Sequence, residues 1–161
     1  MSHGGTYRWI APLLLLSLAG CGGGGGASPT GPSQPQSFLA GTWRGTIVIQ
    51  ADPMGPVPGP VVSGPVTWTF EVVPQTNLQA FRTTIRSENN WLPITLTAST
   101  SMIPGNTAPA QISTQGEYDS PRGCRGSFGS FATAEARTIQ GGITGVDCPV
   151  PFTGTVTLTK E

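Results

Sequence analysis

The last stretch of the chain, Phe152-Thr153-Gly154-Thr155-Val156-Thr157-Leu158-Thr159-Lys160, alternates between two kinds of side chain. Phe152, Val156 and Leu158 share one parity, and four threonines share the other. Because successive side chains of a β-strand point to opposite faces, this pattern predicts a strand with one buried face and one solvated face. The strand therefore belongs to a sheet whose apolar residues all lie on one side.

The same alternation recurs roughly every ten to fifteen residues from Phe38 onward, between clusters of glycine, proline and asparagine. No window keeps the apolar spacing of about 3.6 residues that an amphipathic helix requires. We therefore predict an all-β domain over residues 38–161 with eight strands. The predicted strands lie near residues 40–50, 65–73, 79–88, 91–98, 110–119, 127–136, 138–147 and 151–160.

The pair Asn89-Asn90 separates the third and fourth predicted strands. Asparagine tolerates positive φ, so this pair suits a two-residue hairpin turn. That turn would place Ile85 opposite Ile94 and Thr83 opposite Leu96. A slip by one residue would mix the apolar and polar faces, so the pattern restricts the register.

Eight sequential strands with short connections and one apolar face fit two architectures. One is a closed, antiparallel up-and-down β-barrel, and the other is a two-sheet β-sandwich. The inward residues are apolar enough either to line a ligand cavity or to fill the barrel themselves, and a barrel of this size allows both. The residues expected to contact an apolar or amphipathic ligand are Ile47, Ile49, Trp68, Phe70, Phe81, Ile85, Ile94 and Leu96.

The opening of the first strand, Gly41-Thr42-Trp43, resembles the Gly-x-Trp signature of lipocalins and the wider calycin barrels. This resemblance implies an eight-stranded barrel in which Trp43 closes one end. It also implies that Lys160, late in the last strand, lies over that tryptophan as a basic residue does in lipocalins. The proline-rich segment 51–64 is the counterpart of the long first loop that covers the lipocalin mouth. Small envelope protease inhibitors with one disulfide are similar in shape.

The N-terminal segment combines Arg8, the short apolar run 10–19 and small residues, which is the arrangement of a secretory signal. Its end, Leu18-Ala19-Gly20-Cys21, resembles the lipobox of bacterial lipoproteins. The resemblance implies that residues 1–20 are a signal peptide and that Cys21 carries lipid. Gly22 after the cysteine implies the outer membrane of a bacterial cell envelope. The alternative is an ordinary secretory signal with Cys21 free.

Residues 21–37 contain the glycine run 22–26, several prolines and serines, and no charge. Such a segment cannot bury enough apolar surface to offset the entropy of ordering it. We therefore predict a flexible tether between the anchor and the domain.

Once Cys21 is assigned to lipid, Cys124 and Cys148 remain as an even pair. An exported protein meets oxidising conditions, so a disulfide is expected. The runs 127–136 and 138–147 form a predicted hairpin that turns near Arg137, which returns both cysteines to one end of the domain.

The charge pattern and the histidine count exclude several classes of function. From residue 21 onward the chain has seven basic and eight acidic side chains, a balance of −1, so nothing favours nucleic-acid binding. The only histidine is His3, in the signal segment, which leaves the domain without a Ser/His/Asp triad, a Cys/His dyad or a histidine-ligated metal. We expect no enzyme, no cofactor and no metal site.

A few outer residues are weaker candidates. Trp91 has outward parity at the predicted hairpin tip, where it either docks a partner or membrane surface or folds against a neighbouring loop. Arg122 and Arg125 flank Cys124 and either meet anionic groups or are simply solvated. Glu117 and Asp119 point outward and could act as paired carboxylates only if a cleft formed outside the barrel, which small barrels seldom have.

Together these features predict a non-enzymatic, membrane-anchored envelope lipoprotein whose barrel binds a small apolar or amphipathic molecule. The alternative is a solid barrel that acts through its outer surface as a protein-interaction or inhibitor module, with an envelope protein as partner.

Overall fold

The computed structural model describes residues 37–74, 76, 79–103 and 107–161. The lipobox, the signal segment, Cys21 and the tether up to residue 36 lie outside these residues. The described chain is all-β, as the alternation predicts. Its eight strands are β1 (Gly41–Ala51), β2 (Val61–Val72), β3 (Ala80–Ser87), β4 (Thr95–Ile103), β5 (Ala110–Asp119), β6 (Arg125–Ala134), β7 (Thr138–Asp147) and β8 (Val150–Lys160).

The strands form a closed up-and-down barrel in which every strand pairs antiparallel with its sequence neighbours. β1 also pairs with β8, from Trp43 opposite Lys160 to Ala51 opposite Phe152, and this pairing closes the sheet. Closure decides between the two architectures that the residues leave open. It also removes free strand edges, which would otherwise be templates for aggregation.

The buried faces agree with the parity assignment. In β8, the three large apolar residues Phe152, Val156 and Leu158 are at most 1% exposed. The four threonines of this strand point outward. All eight residues named as ligand contacts also face the interior and are at most 5% exposed. The sequence pattern thus predicts correctly which side of each strand is inside.

The predicted register between β3 and β4 is wrong by two residues. Ile85 pairs with Leu96 and Thr83 with Ala98, and β4 begins at Thr95 rather than near residue 91. A shift of two keeps the faces because the side-chain period is two.

Asn89 causes this shift. Its side chain is fully buried, its Oδ1 accepts hydrogen bonds from the backbone N–H groups of Trp91 and Leu92, and its Nδ2 donates to the carbonyl of Val62. The residue therefore organises a longer connection from Glu88 to Ile94 instead of a two-residue turn. Such side-chain bonds to nearby backbone are a recognised alternative for asparagine.

Inward glycines let neighbouring strands and rings approach closely. A Cβ on Gly45 or Gly154 would overlap a backbone carbonyl of the neighbouring strand, and a Cβ on Gly126 would overlap the Tyr118 ring. Glycine at these positions permits the tight coiling that a narrow barrel needs.

Candidate functional site

The barrel interior is filled by aromatic side chains that touch across it. The ring centroids of Trp68 on β2 and Phe128 on β6 are 6.0 Å apart, although these strands lie on opposite walls of the barrel. Phe70 contacts Trp43, Trp68 and Phe81 with centroid separations of 5.9–6.5 Å. Aromatic pairs at such distances are in direct contact, so at this level the two walls meet.

The eight predicted ligand contacts belong to this same apolar cluster. The structure brings them together with Phe128, Phe152 and the inward residues of β7 and β8. A contact between opposite walls leaves no space for a ligand at the level of Trp68. Ligand binding by these eight residues stays a prediction.

A belt of hydroxyl groups crosses the interior on four neighbouring strands. Thr100 Oγ1 lies 2.6 Å from Thr83 Oγ1 and 2.8 Å from Thr114 Oγ1, and Ser130 Oγ donates to the carbonyl of Gly142. The three threonines are at most 2% exposed. Inward parity is the sequence signal for this belt, since each of these residues alternates with outward neighbours. The bonds satisfy polar groups that would otherwise be costly to bury.

Trp68 differs from the other buried polar groups. Its Nε1 is buried without a hydrogen-bond partner in the described part of the chain. An unpaired buried donor destabilises a fold by about 1–3 kcal/mol. The unpaired N–H therefore lowers the stability that Trp68 contributes, whereas the N–H of Trp43 is hydrogen-bonded.

Trp43 and Lys160 occupy the end of the barrel at which the chain enters. The Trp43 Nε1 donates to the carbonyl of Leu39 at 2.8 Å, and Lys160 Nζ lies 5.5 Å from the Trp43 ring centroid. Lys160 Nζ also donates to the carbonyl of Phe38. This is the arrangement that the lipocalin resemblance implies. Burial lowers the pKa of the Lys160 ammonium.

The opposite end is covered by Trp91, whose predicted outward position is wrong. Residue 91 lies in the β3–β4 connection rather than in a strand, and its ring centroid is 5.6 Å from that of Phe152. The Arg122 guanidinium carbon lies 4.8 Å from the Trp91 ring centroid. The tryptophan thus folds against its neighbours, as the second interpretation of this residue proposed.

Asp147 is the centre of a polar cluster at this end. Its carboxylate, on a residue only 1% exposed, accepts a 2.7 Å hydrogen bond from Arg122 Nη1 and a 3.2 Å bond from the Tyr118 hydroxyl. Burial, with a smaller effect of the Asp147 charge, raises the pKa of the Tyr118 hydroxyl. Arg122 is therefore an ion-pair partner rather than a free cation. The separation of 25 residues between Arg122 and Asp147 hides this pair from local sequence patterns.

Cys124 and Cys148 form a disulfide beside Asp147, as the cysteine count predicts. Their Cα atoms are 5.5 Å apart, within the ordinary range for a disulfide. The two sulfurs and a carboxylate oxygen of Asp147 lie within 4.8 Å of one another. Because the sulfurs are bonded to each other and the carboxylate is paired with Arg122, this group is a structural crosslink.

The outward carboxylates Glu117 and Asp119 both pair with Arg125, at 3.1 and 3.8 Å. All three side chains are largely exposed. Exposed ion pairs of this kind contribute little to stability, and Glu117 borders an open groove on the outer wall.

The proline-rich β1–β2 connection does not pack into the core. Met54 is 95% exposed and Val57 is 81% exposed. Backbone hydrogen bonds hold the base of the loop, from Gly59 to the Ala51 carbonyl and from Asp52 to the Pro151 carbonyl. Leu92, only 1% exposed, belongs to the core at this end instead.

The outer wall carries concave regions that parity patterns do not reveal. A groove of about 590 Å³ lies over β4 to β7, with Gly116, Gly129 and Gly145 in its lining. Another hollow, of about 220 Å³, lies at the end of the barrel beside Trp91 and Arg122. Gly129 has outward parity and is the sequence signal for the larger groove, whereas Gly116 and Gly145 have inward parity, where a Cβ would meet Leu96 and Phe152.

No helix in the described residues is long and apolar enough to cross a membrane. Comparison with known protein families finds no match, and no curated protein or solved structure matches this chain.

Proposed function

We propose that this chain is a lipid-anchored protein of a bacterial cell envelope whose barrel acts through its outer surface as a protein-interaction module. The observation that carries this proposal is the contact between Trp68 and Phe128, because it joins opposite walls of the barrel. A filled interior supports the solid-barrel alternative over the small-molecule carrier. The lipobox ending in Cys21 supports the anchor.

The β1–β2 connection offers the best docking element for a protein partner. Met54 and Val57 are exposed, and Pro53, Pro56 and Pro58 flank them. Prolines restrict φ, so the loop loses little conformational entropy when it binds. An apolar, preorganised loop suits an apolar groove on a partner.

The chain enters the barrel at the end where Trp43 lies. The β1–β2 loop lies at the opposite end. Its ends meet Ala51 and Val61, whereas the chain enters through Ser37 and Gly41. The first described residues of the chain therefore do not cover this loop. The nearby Trp91 and Arg122 hollow adds a polar and aromatic contact.

Two measurements test the proposal. Solvent extraction of the purified protein followed by mass spectrometry is expected to release no stoichiometric ligand, because the acyl groups of the anchor are covalently bound and stay with the protein. A stoichiometric small molecule would instead support the hypothesis that the barrel carries a small-molecule ligand. Photo-crosslinking in cells from position Val57 is expected to capture a defined protein, whereas the same probe at Thr155 on the barrel wall is not. Equal adducts from both positions would contradict the loop assignment.

A further inference from the structure

Phe131 is an exposed aromatic residue in the middle of the outer wall. It lies on β6 and is 64% exposed, and it is the only aromatic side chain in the described residues with such exposure. Every other aromatic side chain in that part of the chain is buried or half-buried. A single exposed apolar side chain is common on protein surfaces, so the surroundings of the Phe131 ring decide what this position can do.

The neighbours of Phe131 on the outer face are all uncharged. Ser113 lies opposite it on β5 and Gly142 opposite it on β7, and Gly129 precedes it on the same face of β6. A Cβ on Gly142 would meet only a carbonyl oxygen 4.0 Å away, and one on Gly129 only Thr144, so open space flanks the ring on two sides. Diagonal neighbours add the amides of Gln115 and Gln140.

The groove over β4 to β7 continues this surface. Gly129 lies in its lining, and Gln115 and Thr144 belong both to the groove and to the surroundings of Phe131. The hydroxyls of Ser99 and Ser127 complete a polar rim. Glu117, the charged residue of the groove, is already paired with Arg125. Phe131 and the groove thus form one continuous surface of an aromatic ring, amides, hydroxyls and open glycine backbone.

This combination matches the chemistry of a sugar ring. A pyranose has an apolar face of C–H groups that packs on an aromatic ring, and a rim of hydroxyls that exchange hydrogen bonds with amide and hydroxyl side chains. A charged ligand would find no free counter-charge on this surface. A protein partner would need a larger apolar centre than one ring among polar neighbours.

We propose that the surface formed by Phe131 and the groove above Gly129 binds an uncharged glycan chain. This binding is independent of the β1–β2 loop and does not need the proposed protein partner. The groove volume of about 590 Å³ is enough for part of an oligosaccharide rather than for an isolated ion. Two classes of uncharged glycan are compared in the test: one carries only hydroxyl groups, and the other also carries acetamido groups.

The test uses the full chain carrying Cys21→Ser, titrated with chitotetraose and separately with cellotetraose and followed by NMR chemical shifts. We expect saturable shifts confined to β4, β5, β6 and β7 with at least one of these sugars, and the preferred sugar identifies the class. Phe131→Ala should weaken the binding at least about tenfold, whereas Phe131→Tyr should retain it. Val61→Ala is the matched control, because Val61 is 63% exposed and lies on the opposite wall.

A second variant keeps the test informative if Phe131→Ala disturbs the fold. Gly129→Val fills the groove without a backbone clash, since a Cβ there would meet only Thr144 Oγ1 at 3.6 Å and its carbonyl at 3.7 Å. It should abolish binding while the spectrum stays folded. The proposal is overturned if neither sugar binds at concentrations up to about 10 mM or if the variants bind as the parent does. Self-association that Phe131→Ala abolishes, without sugar binding, would overturn it in favour of a second copy of the chain.

Discussion

At the scale of single residues, two tryptophans with equal burial have different surroundings. Trp43 and Trp68 are both 0% exposed, but only Trp43 has a partner for its indole N–H, the carbonyl of Leu39. Burial of the rings stabilises both positions, because each removes a large apolar surface from water. Whether the indole Nε1 has a hydrogen-bond partner decides how much each buried ring adds to the free energy of unfolding.

We therefore expect Trp43→Phe to destabilise the domain more than Trp68→Phe does. Both changes remove the same indole volume, but the first also breaks a hydrogen bond and the second removes an unpaired donor. The difference in the free energy of unfolding should be about 1–3 kcal/mol, as measured by denaturant unfolding of the two variants. Equal losses would show that the Trp68 N–H finds a partner in solution.

Tyr118 supplies a pH dependence at the residue scale. Burial and Asp147 raise its pKa above the ordinary value of 10.0, so the unfolded chain releases this proton at lower pH than the folded one. The stabilising contribution is complete below pH 10.0 and is lost as the pH rises through the folded pKa.

Tyrosinate absorbance measures this directly. In a chain with Tyr7→Phe, Tyr118 is the only tyrosine, and we expect its absorbance to change only together with unfolding in alkali. Tyr118→Phe should reduce the loss of stability above pH 10.0. Titration of Tyr118 at an ordinary pKa in the folded protein would contradict its burial beside Asp147.

At the scale of strands, inward and outward glycines have opposite roles. Gly154 faces the interior, where a Cβ would overlap the Val48 carbonyl of the paired strand, whereas Gly129 faces outward with room for a side chain. The same residue type thus permits close strand approach at one position and opens a groove at the other.

Gly154→Ala should therefore destabilise the barrel by about 1–3 kcal/mol, the usual cost of overpacking. Gly129→Ala, its matched control, should leave stability unchanged or raise it by up to about 1 kcal/mol by restricting the unfolded chain. Thermal and denaturant unfolding of both variants measures these effects. A neutral Gly154→Ala would mean that β1 and β8 are less closely paired than the structure shows.

The disulfide links the β5–β6 connection to the β7–β8 connection across a separation of 24 residues. Loss of this crosslink in a Cys124→Ala, Cys148→Ala variant should cost about 3 kcal/mol, because the unfolded chain gains freedom. The fold should survive, since β6 and β7 remain paired from Gly126–Asp147 to Ala134–Ile139. Denaturant unfolding measures the loss, and thiol titration of the unfolded, unreduced parent should find neither cysteine reactive.

At the scale of the whole molecule, the sequence predicts a lipid anchor at Cys21 in addition to the barrel. Cys21→Ser removes the proposed lipid site and lies outside the described residues, so the exported protein should lose its membrane association while its unfolding midpoint is unchanged. Fractionation of cells that express the variant and the parent checks this. Equal partitioning of both into membranes would contradict the lipobox assignment.

The sequence by itself determined the number of strands, the inward face of each strand and the cysteine pair. These features depend on local alternation and on parity, as in Phe152 to Lys160, and a shift of two residues between β3 and β4 leaves them unchanged. The proline-rich loop and the Gly-Thr-Trp opening are likewise local patterns, so the sequence alone predicts their positions.

Only the tertiary structure decided that the sheet closes, that Trp68 meets Phe128 across it, and that Arg122 pairs with Asp147. It also decided that Asn89 bonds to the Val62 carbonyl and builds a longer connection, and that four strands from Ser99 to Gly145 form a groove near Phe131. The physical reason is that these features join residues far apart in sequence. Strand tilt, curvature and side-chain packing set those distances, and no local periodicity encodes them.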